Sequence, residues 1–408
     1  MTSLTEFFSR QEDDNLKGIS HKNNLFKRNI IAHMAVNGEC TLSELTKELH
    51  ISVPTITKLV QELVQENIVS DLGKVETPGG RRPNVFGLAS SAIYFAGVNI
   101  GRDNMSFLIT DLHNNIVKEE LLTDFELQDR PQCLEKICSN IAHFIDTCGV
   151  ERAKILGVGV SVSGRVNPTT GRSYRYFTSS EQSLRDMIEQ RIGIRVLLEN
   201  DTRARCYAEY TNSKSKDEMD VLYLHLGRGL AIGIVMNGKL YYGKSGFAGE
   251  FGHVIVERNG RECGCGRRGC LETYVSATGI KRTAFELMAK MNAPSKLRSI
   301  AFDDFDASMI SAAAEQGDPI ALEAFRYTGE MLGRALADVV TVTSPQAIFL
   351  FGGLSKAGKL IFEPTQWYME ENMLFVFKNK VKLLPSGIQG KNAAILGASA
   401  LIWQEAAK

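Results

Sequence analysis

The sequence predicts an α/β protein in three parts: a helix-rich N-terminal module with a basic wing, followed by two glycine-punctuated α/β lobes. Three observations predict it. Apolar residues recur at helical spacing through residues 21–64, and a Gly79-Gly80-Arg81-Arg82-Pro83 stretch follows. A three-stranded antiparallel pattern with Gly-Arg at its first corner occurs twice, at residues 94–121 and again at 221–242. One His and three Cys, His253, Cys263, Cys265 and Cys270, crowd into a short glycine-rich stretch.

The totals set the bounds. A chain of 408 residues with 44% hydrophobic content is long enough for two or three proper cores. Lys plus Arg and Asp plus Glu both number 47, so no global field favours a polyanion and any nucleic-acid contact must come from a local patch. The first residues lack a basic stretch followed by an apolar one, and no apolar run is long enough to span a bilayer. Of the eight Cys, five (Cys40, Cys133, Cys138, Cys148 and Cys206) lack a pattern and read as small buried apolar residues, so the expected setting is the reduced cytoplasm.

Residues 1–20 are polar, include Glu12-Asp13-Asp14, and are expected to form a mobile arm. Residues 21–88 form the first module. Leu25, Ile30, Ile31 and Met34 mark a first helix, and the capping box Thr41-Leu-Ser-Glu44 opens a second. Ser52 as N-cap and Pro54 in the first turn open a third helix, with Ile56, Leu59, Val60, Leu63 and Val64 inward. Two short strands around Val69 and Val85 complete a wing, residues 71–74 turning the chain out of the first. This is a winged helix-turn-helix pattern. Pro54, Thr55, Thr57, Lys58 and Gln61 would face the major groove, with Arg81 and Arg82 on phosphate or in the minor groove.

Each meander is followed by helix and strand material, which suggests two lobes with a cleft between them: residues 89–200 with 392–408 as the small lobe, residues 201–391 as the large one. The alanine-rich segment 393–403 is a helix that would cross back to the small lobe. Strand ends carry Glu199-Asn200-Asp201 and Ser161-Val-Ser163-Gly164. His253, Cys263, Cys265 and Cys270 are a ligand set for one tetrahedral, structural Zn²⁺, the alternative being a redox cluster of thiols. Glu250 and Glu272 flank this knot, and Asn and carboxylates are the side chains that bind vicinal hydroxyls, so a sugar is the natural ligand. Asn200 and Asp201 have a simpler alternative, capping the helix that follows them.

Gly249-Glu-Phe-Gly-His253, Cys263-x-Cys265-Gly-x-x-Gly-Cys270-x-Glu272, Asn200-Asp201 and Gly352-Gly353 resemble the ROK family of repressors, open reading frames and sugar kinases, from about Tyr94 onward. The N-terminal helices and Gly-Gly-Arg-Arg wing resemble that family's transcriptional regulators, of the N-acetylglucosamine and xylose repressor type. The resemblance implies an actin-like, two-lobed fold of the ribonuclease H-like, hexokinase-type ATPase class. It also implies one structural zinc per chain, a homodimer or homotetramer built through the large lobe, and sugar contacts from Asn200, Asp201, Glu250, His253 and Glu272. His253 serves metal and sugar through its two ring nitrogens. In the kinases, the aspartate matching Asp201 is the general base. The kinases' first corner is Asp-x-Gly-Gly-Thr and their second Gly-Thr-Gly, where this chain has Asn99-Ile-Gly101-Arg102-Asp103 and Gly227-Arg228-Gly229. The expectation is therefore no catalytic residue and no enzyme, but a repressor of carbohydrate-utilisation genes that binds an operator and a sugar or sugar-phosphate effector. The alternatives are a ROK sugar kinase with an appended domain, or a repressor controlled by a protein partner.

Overall fold

The computed structural model describes residues 19–74, 83–212, 219–387 and 393–406. It divides into two compact units, residues 1–205 with 394–408, and residues 206–393. The division falls inside the helix after Asn200, so Asp201 belongs with the first unit, where sequence reading assigned it to the large lobe.

The N-terminal module contains α1 (Ile19–Asn37), β1 (Cys40–Thr41), α2 (Leu42–Leu49), α3 (Val53–Gln65), β2 (Val69–Lys74) and β3 (Asn84–Leu88). The capping box at Thr41 is complete: its hydroxyl accepts the Glu44 N–H at 3.2 Å while Glu44 accepts the Thr41 N–H at 2.7 Å. Ser52 differs from expectation. Its hydroxyl bonds Thr55 Oγ1 at 2.9 Å and caps no backbone N–H, leaving Pro54 in the first turn as the local start signal. Residues 71–74 continue β2 instead of turning, because a bulge between Asp71 and Gly73 keeps the strand paired with β3. The three strands run in the order β1-β3-β2.

The apolar faces of these helices do not close on themselves. Ile30, Ile56, Leu59 and Leu63 share one buried cluster with Ile93, just ahead of the adjoining sheet, with Phe95 and Leu156 in that sheet, and with Ile402 in the last helix. Each is at most 7% exposed, so the N-terminal module and the α/β part of this unit are packed through a common core rather than joined by a linker.

That sheet has the order β10-β7-β4-β5-β6, from β4 (Tyr94–Ile100), β5 (Met105–Asp111), β6 (Ile116–Leu122), β7 (Ile155–Val162) and β10 (Val196–Asn200). The first meander is antiparallel, and β4, β7 and β10 are mutually parallel. Register sets Ile100 beside Val162 and Val162 beside Asn200. The loops after all three strands therefore leave from one sheet edge, where α/β folds place ligands. Helices α4 (Pro131–Thr147) and α5 (Leu184–Ile192) cover one face, and a small hairpin, β8 (Val166–Asn167) with β9 (Arg172–Ser173), follows β7. The final helix, α12 (Ala393–Ala406), is the helix its alanine-rich sequence predicts, and it returns to this unit. Its backbone lies so close to β7 that a Cβ on Gly159 would run into the Ala398 carbonyl.

The second unit repeats the plan with order β13-β12-β11-β14-β15. Its strands are β11 (Val221–Leu226), β12 (Leu230–Met236), β13 (Lys239–Leu240), β14 (Ala347–Phe351) and β15 (Lys382–Pro385). Its helices are α6 (Asp201–Asn212), which straddles the division, α7 (Glu272–Val275), α8 (Ala277–Lys290), α9 (Ala307–Glu315), α10 (Pro319–Thr343) and α11 (Lys359–Asn372). α8, α9, α11 and β15 had no counterpart in the sequence reading. Asp306 and Asp318 cap α9 and α10, a signal that was available.

Candidate functional site

In the second unit, glycines and backbone hydrogen bonds fold residues 249–272 around one point. The Gly269 N–H donates to the Arg261 carbonyl at 2.8 Å while its own carbonyl accepts from Val256 at 2.9 Å. Gly269 has φ +78°, and a Cβ there would strike the Glu257 carbonyl, so only glycine serves. Arg261 fastens the loop to the helices behind it, reaching the Thr273 carbonyl at 2.7 Å, Glu286 at 2.8 Å and the face of Tyr274 at 4.5 Å.

The ligand atoms of His253, Cys263, Cys265 and Cys270 lie within 4.8 Å of one another. Cys263 Sγ is 3.7 Å from His253 Nδ1, and Cys265 Sγ is 3.6 Å from Cys270 Sγ. Tetrahedral Zn²⁺ with bonds of about 2.3 Å to sulfur needs ligand separations of roughly 3.8 Å. The four residues fit a bound metal. Burial works to raise the Cys265 thiol, but hydrogen bonds from the Arg267 backbone and side chain and from Cys263 and Cys270 bring it down to about 6, the thiolate form a metal requires. Burial and hydrogen bonding toward its neighbours push Cys270 the other way, to about 12. Among the other five cysteines, Cys40, Cys138, Cys148 and Cys206 are buried and Cys133 is half-buried.

The second imidazole nitrogen, Nε2, points toward Glu250 Oε2 at 3.8 Å. A metal held on one nitrogen, with a carboxylate near the other, would orient the ring. Glu272 lies apart from this pair: its Oε2 accepts the Leu230 N–H at 3.0 Å and tethers α7 to the corner Gly227-Arg228-Gly229. At that corner the His225 ring stacks on Phe351 at 5.0 Å and packs against Gly227 and Gly352. Beside it lies a groove of about 640 Å³ lined by Arg228, Asp306, Ser308, Gly353 and Lys356 among others.

Asn200 and Asp201 belong to the first unit. The Asn200 carbonyl oxygen accepts the N–H groups of Thr202 and Arg203 at 3.0 and 3.1 Å, and its amide donates to the Gly164 carbonyl at 2.8 Å and to Asp201 at 3.0 Å. Asn200 is thus a helix cap as well as a candidate ligand. The neighbouring turn is held from beneath: Glu199 Oε1 accepts the Asn200 N–H at 2.6 Å and Arg203 Nε at 2.7 Å, and Arg203 reaches the Val166 carbonyl at 2.7 Å. Sequence reading did not assign this buried Glu199–Arg203 pair a role. Burial raises the Asp201 carboxyl above its ordinary range, opposed by the Thr202 N–H, the Ser163 hydroxyl and the charges of Arg102 and Arg203.

The first corner of the meander follows β4. Asn99 accepts the Ser161 hydroxyl at 2.9 Å, and Arg102 stands exposed after the Gly101 turn.

On the N-terminal module, Pro54, Lys58 and Gln61 are exposed along α3, while Thr55 and Thr57 are half-buried. Thr57 spends its hydroxyl on the Val53 carbonyl at 2.8 Å. Gln61 borders a groove of about 1150 Å³ that also takes in Ser43, Gln65 and Lys74. The sequence reading did not name these three: Gln65 continues the helical face of Gln61, whereas Ser43 and Lys74 come to the groove from α2 and β2. Arg81 and Arg82 lie outside the described residues.

Residues 95–405 match the ROK family and residues 24–70 match a winged helix-turn-helix DNA-binding family. The xylose repressor of Bacillus spizizenii is 26% identical over 381 residues, spanning 91% of this chain and 93% of its own. A glucokinase of Streptomyces coelicolor is 32% identical over 279 residues, 66% of this chain and 84% of its own. Among solved structures, a ROK family transcriptional regulator that is a homolog of E. coli MLC protein superposes with a TM-score of 0.79 at 24% identity, covering 95% of this chain and 97% of its own. The chain belongs to the ROK family and carries a winged helix-turn-helix DNA-binding module at its N-terminus.

Proposed function

We propose that the protein is a DNA-binding transcriptional regulator that responds to a sugar and represses carbohydrate-utilisation genes. The observation that carries this reading is the winged helix packed, through a shared core, into the same compact unit as the strand ends bearing Asn200 and Asp201. Likeness to a xylose repressor over 91% of the chain supports it, since the glucokinase likeness covers 66%. The candidate sugar contacts are Asn200 and Asp201 on one unit and Glu250, His253 and Glu272 on the other. Pro54, Thr55, Thr57, Lys58, Gln61, Arg81 and Arg82 are the candidate DNA contacts. Zn²⁺ on His253, Cys263, Cys265 and Cys270 supplies rigidity: it fixes the loop carrying Glu250 and leaves the protein's own side chains to do the recognition.

Ligand acts by differential affinity. A sugar that binds one arrangement of the protein more tightly shifts the population toward it, and the common core passes movement of the α/β part to the winged helix. The protein works in the cytoplasm as a homodimer or homotetramer, two winged helices reading a two-fold operator.

A sugar kinase with an added module is the competing reading, favoured by Asp201 and by the groove beside Gly227. Phosphoryl transfer depends on positioning charge around the phosphates, and here Asn99 is tied to Ser161, Arg102 occupies the first corner, and His225 crowds the second. Incubation with ATP, Mg²⁺ and a hexose panel is expected to give no turnover; rates of roughly 1–100 s⁻¹ would establish the kinase instead.

A further inference from the structure

The helix expected to read DNA is short of positive charge. Residues 53–66, α3 with its C-cap, hold one cation, Lys58, against two acids, Glu62 and Glu66. Both acids stand in the last turn and cap, where the helix dipole already concentrates negative charge and no basic residue offsets it. A net acidic helix end repels the phosphates it approaches. It also competes for Lys58, which is 70% exposed and lies 3.9 Å from Glu62 Oε1, one helical turn away.

The compensating charge comes from α1. Lys27 Nζ lies 3.0 Å from Glu62 Oε2 and 2.8 Å from Glu66 Oε1, so Glu62 stands between two lysines and is held more closely by the one from α1. The Lys27 side chain is 11% exposed. Burial works against its charge, but hydrogen bonds to Glu66 and Glu62 and their negative charges outweigh burial and hold its pKa above the ordinary range, so it stays a cation. Buried ion pairs are weak sources of stability, and here Ile30 and Ile31 of α1 already share a core with Ile56, Leu59 and Leu63 of α3. What Lys27 adds to that packing is a fixed charge balance on α3.

We propose that Lys27 is a positioning residue for DNA binding: by holding Glu62 and Glu66 it cancels the acidic end of α3 and leaves Lys58 free to reach a phosphate. The proposal rests on the DNA-binding reading of this module and adds a residue from a helix assigned no DNA contact. Fluorescence anisotropy across a salt series, with a duplex that the purified chain selects from a random-sequence pool, tests it beside thermal unfolding of the same samples. Lys27→Met weakens binding by about tenfold or more and lowers the salt slope by about one, the phosphate contact that Lys58 gives up to Glu62, while the unfolding midpoint holds. Lys27→Arg keeps the charge and binds within about threefold of the native chain. The triple variant Lys27→Met/Glu62→Gln/Glu66→Gln, which removes cation and acids together, also returns to within about threefold. Native-strength binding by Lys27→Met overturns the proposal, and so does a loss of affinity at an unchanged salt slope. A folded triple variant as weak as Lys27→Met makes Lys27 a packing residue only and overturns it too. Should Lys27→Met melt early, the triple variant decides by the same two outcomes. A native chain that selects no duplex defeats the DNA-binding reading itself, and the proposal with it.

Discussion

Glu250 and His253 stand on a loop closed by a set of metal ligands, whereas Asn200 and Asp201 stand on a strand-to-helix turn closed by a buried ion pair. Both devices fix polar side chains where a flexible loop would not, by different physics. In the knot, three sulfurs and an imidazole converge within 4.8 Å, so rigidity is expected to follow the metal. In the turn, Glu199 and Arg203 are 3% and 4% exposed, and their mutual hydrogen bond holds the Asn200 N–H from below. Among the described residues Glu199 Oε2 finds no partner, so the pair is only just satisfied and depends on Arg203 remaining in place. One half of the candidate sugar set should therefore yield to chelators and the other should not.

The largest expected effect is on the knot. Cys265→Ser is expected to take metal content by mass spectrometry from one per chain to none and to disorder residues 262–272; apparent binding energies of about 10–16 kcal/mol for structural zinc in small peptides set the upper scale. Unchanged metal content refutes the ligand set. At the turn, Arg203→Ala strands a buried carboxylate and is expected to cost about 3–5 kcal/mol in denaturant unfolding, with metal content unaltered. A cost under about 1 kcal/mol would mean water reaches Glu199 and that the turn is not held as described.

Asn200→Ser separates capping from recognition. Serine caps as well as asparagine but loses the amide's bond to the Gly164 carbonyl, so stability should fall by only about 1 kcal/mol. Sugar affinity should fall about tenfold, the loss of roughly one hydrogen bond to a ligand. Unchanged affinity would reduce Asn200 to a helix cap. The smallest effect on either half belongs to Arg81→Ala with Arg82→Ala, which should lower the salt slope of DNA binding by about two and leave sugar and metal untouched.

The two halves also differed in how far the sequence revealed them. The knot was legible because its ligands are close in the chain and their spacing by Gly264, Gly266 and Gly269 has a direct chemical meaning. The Asn200–Asp201 turn was recognisable only as a strand end. Its support comes from Gly164 and Val166, more than thirty residues away, through a register that no local pattern encodes. The meanders were legible from alternation and turn residues. The wing strand was misread because Asp71 and Gly73 look like a turn, whereas pairing with β3 absorbs them as a bulge. The common core of winged helix and sheet was invisible, since Phe95 and Leu156 read as ordinary strand residues until Ile30 and Leu59 are seen packed with them.

DNA retention under ligand tests the central claim most directly. A duplex selected by the protein from a random-sequence pool is bound by the purified, metal-loaded chain, and fluorescence anisotropy follows its affinity as glucose, N-acetylglucosamine and xylose and their terminal phosphate esters are added without ATP. The account predicts that one ligand changes the DNA affinity at least fivefold and that DNA changes the affinity for that ligand by the same factor. A ligand that binds tightly yet leaves DNA affinity unchanged would contradict it.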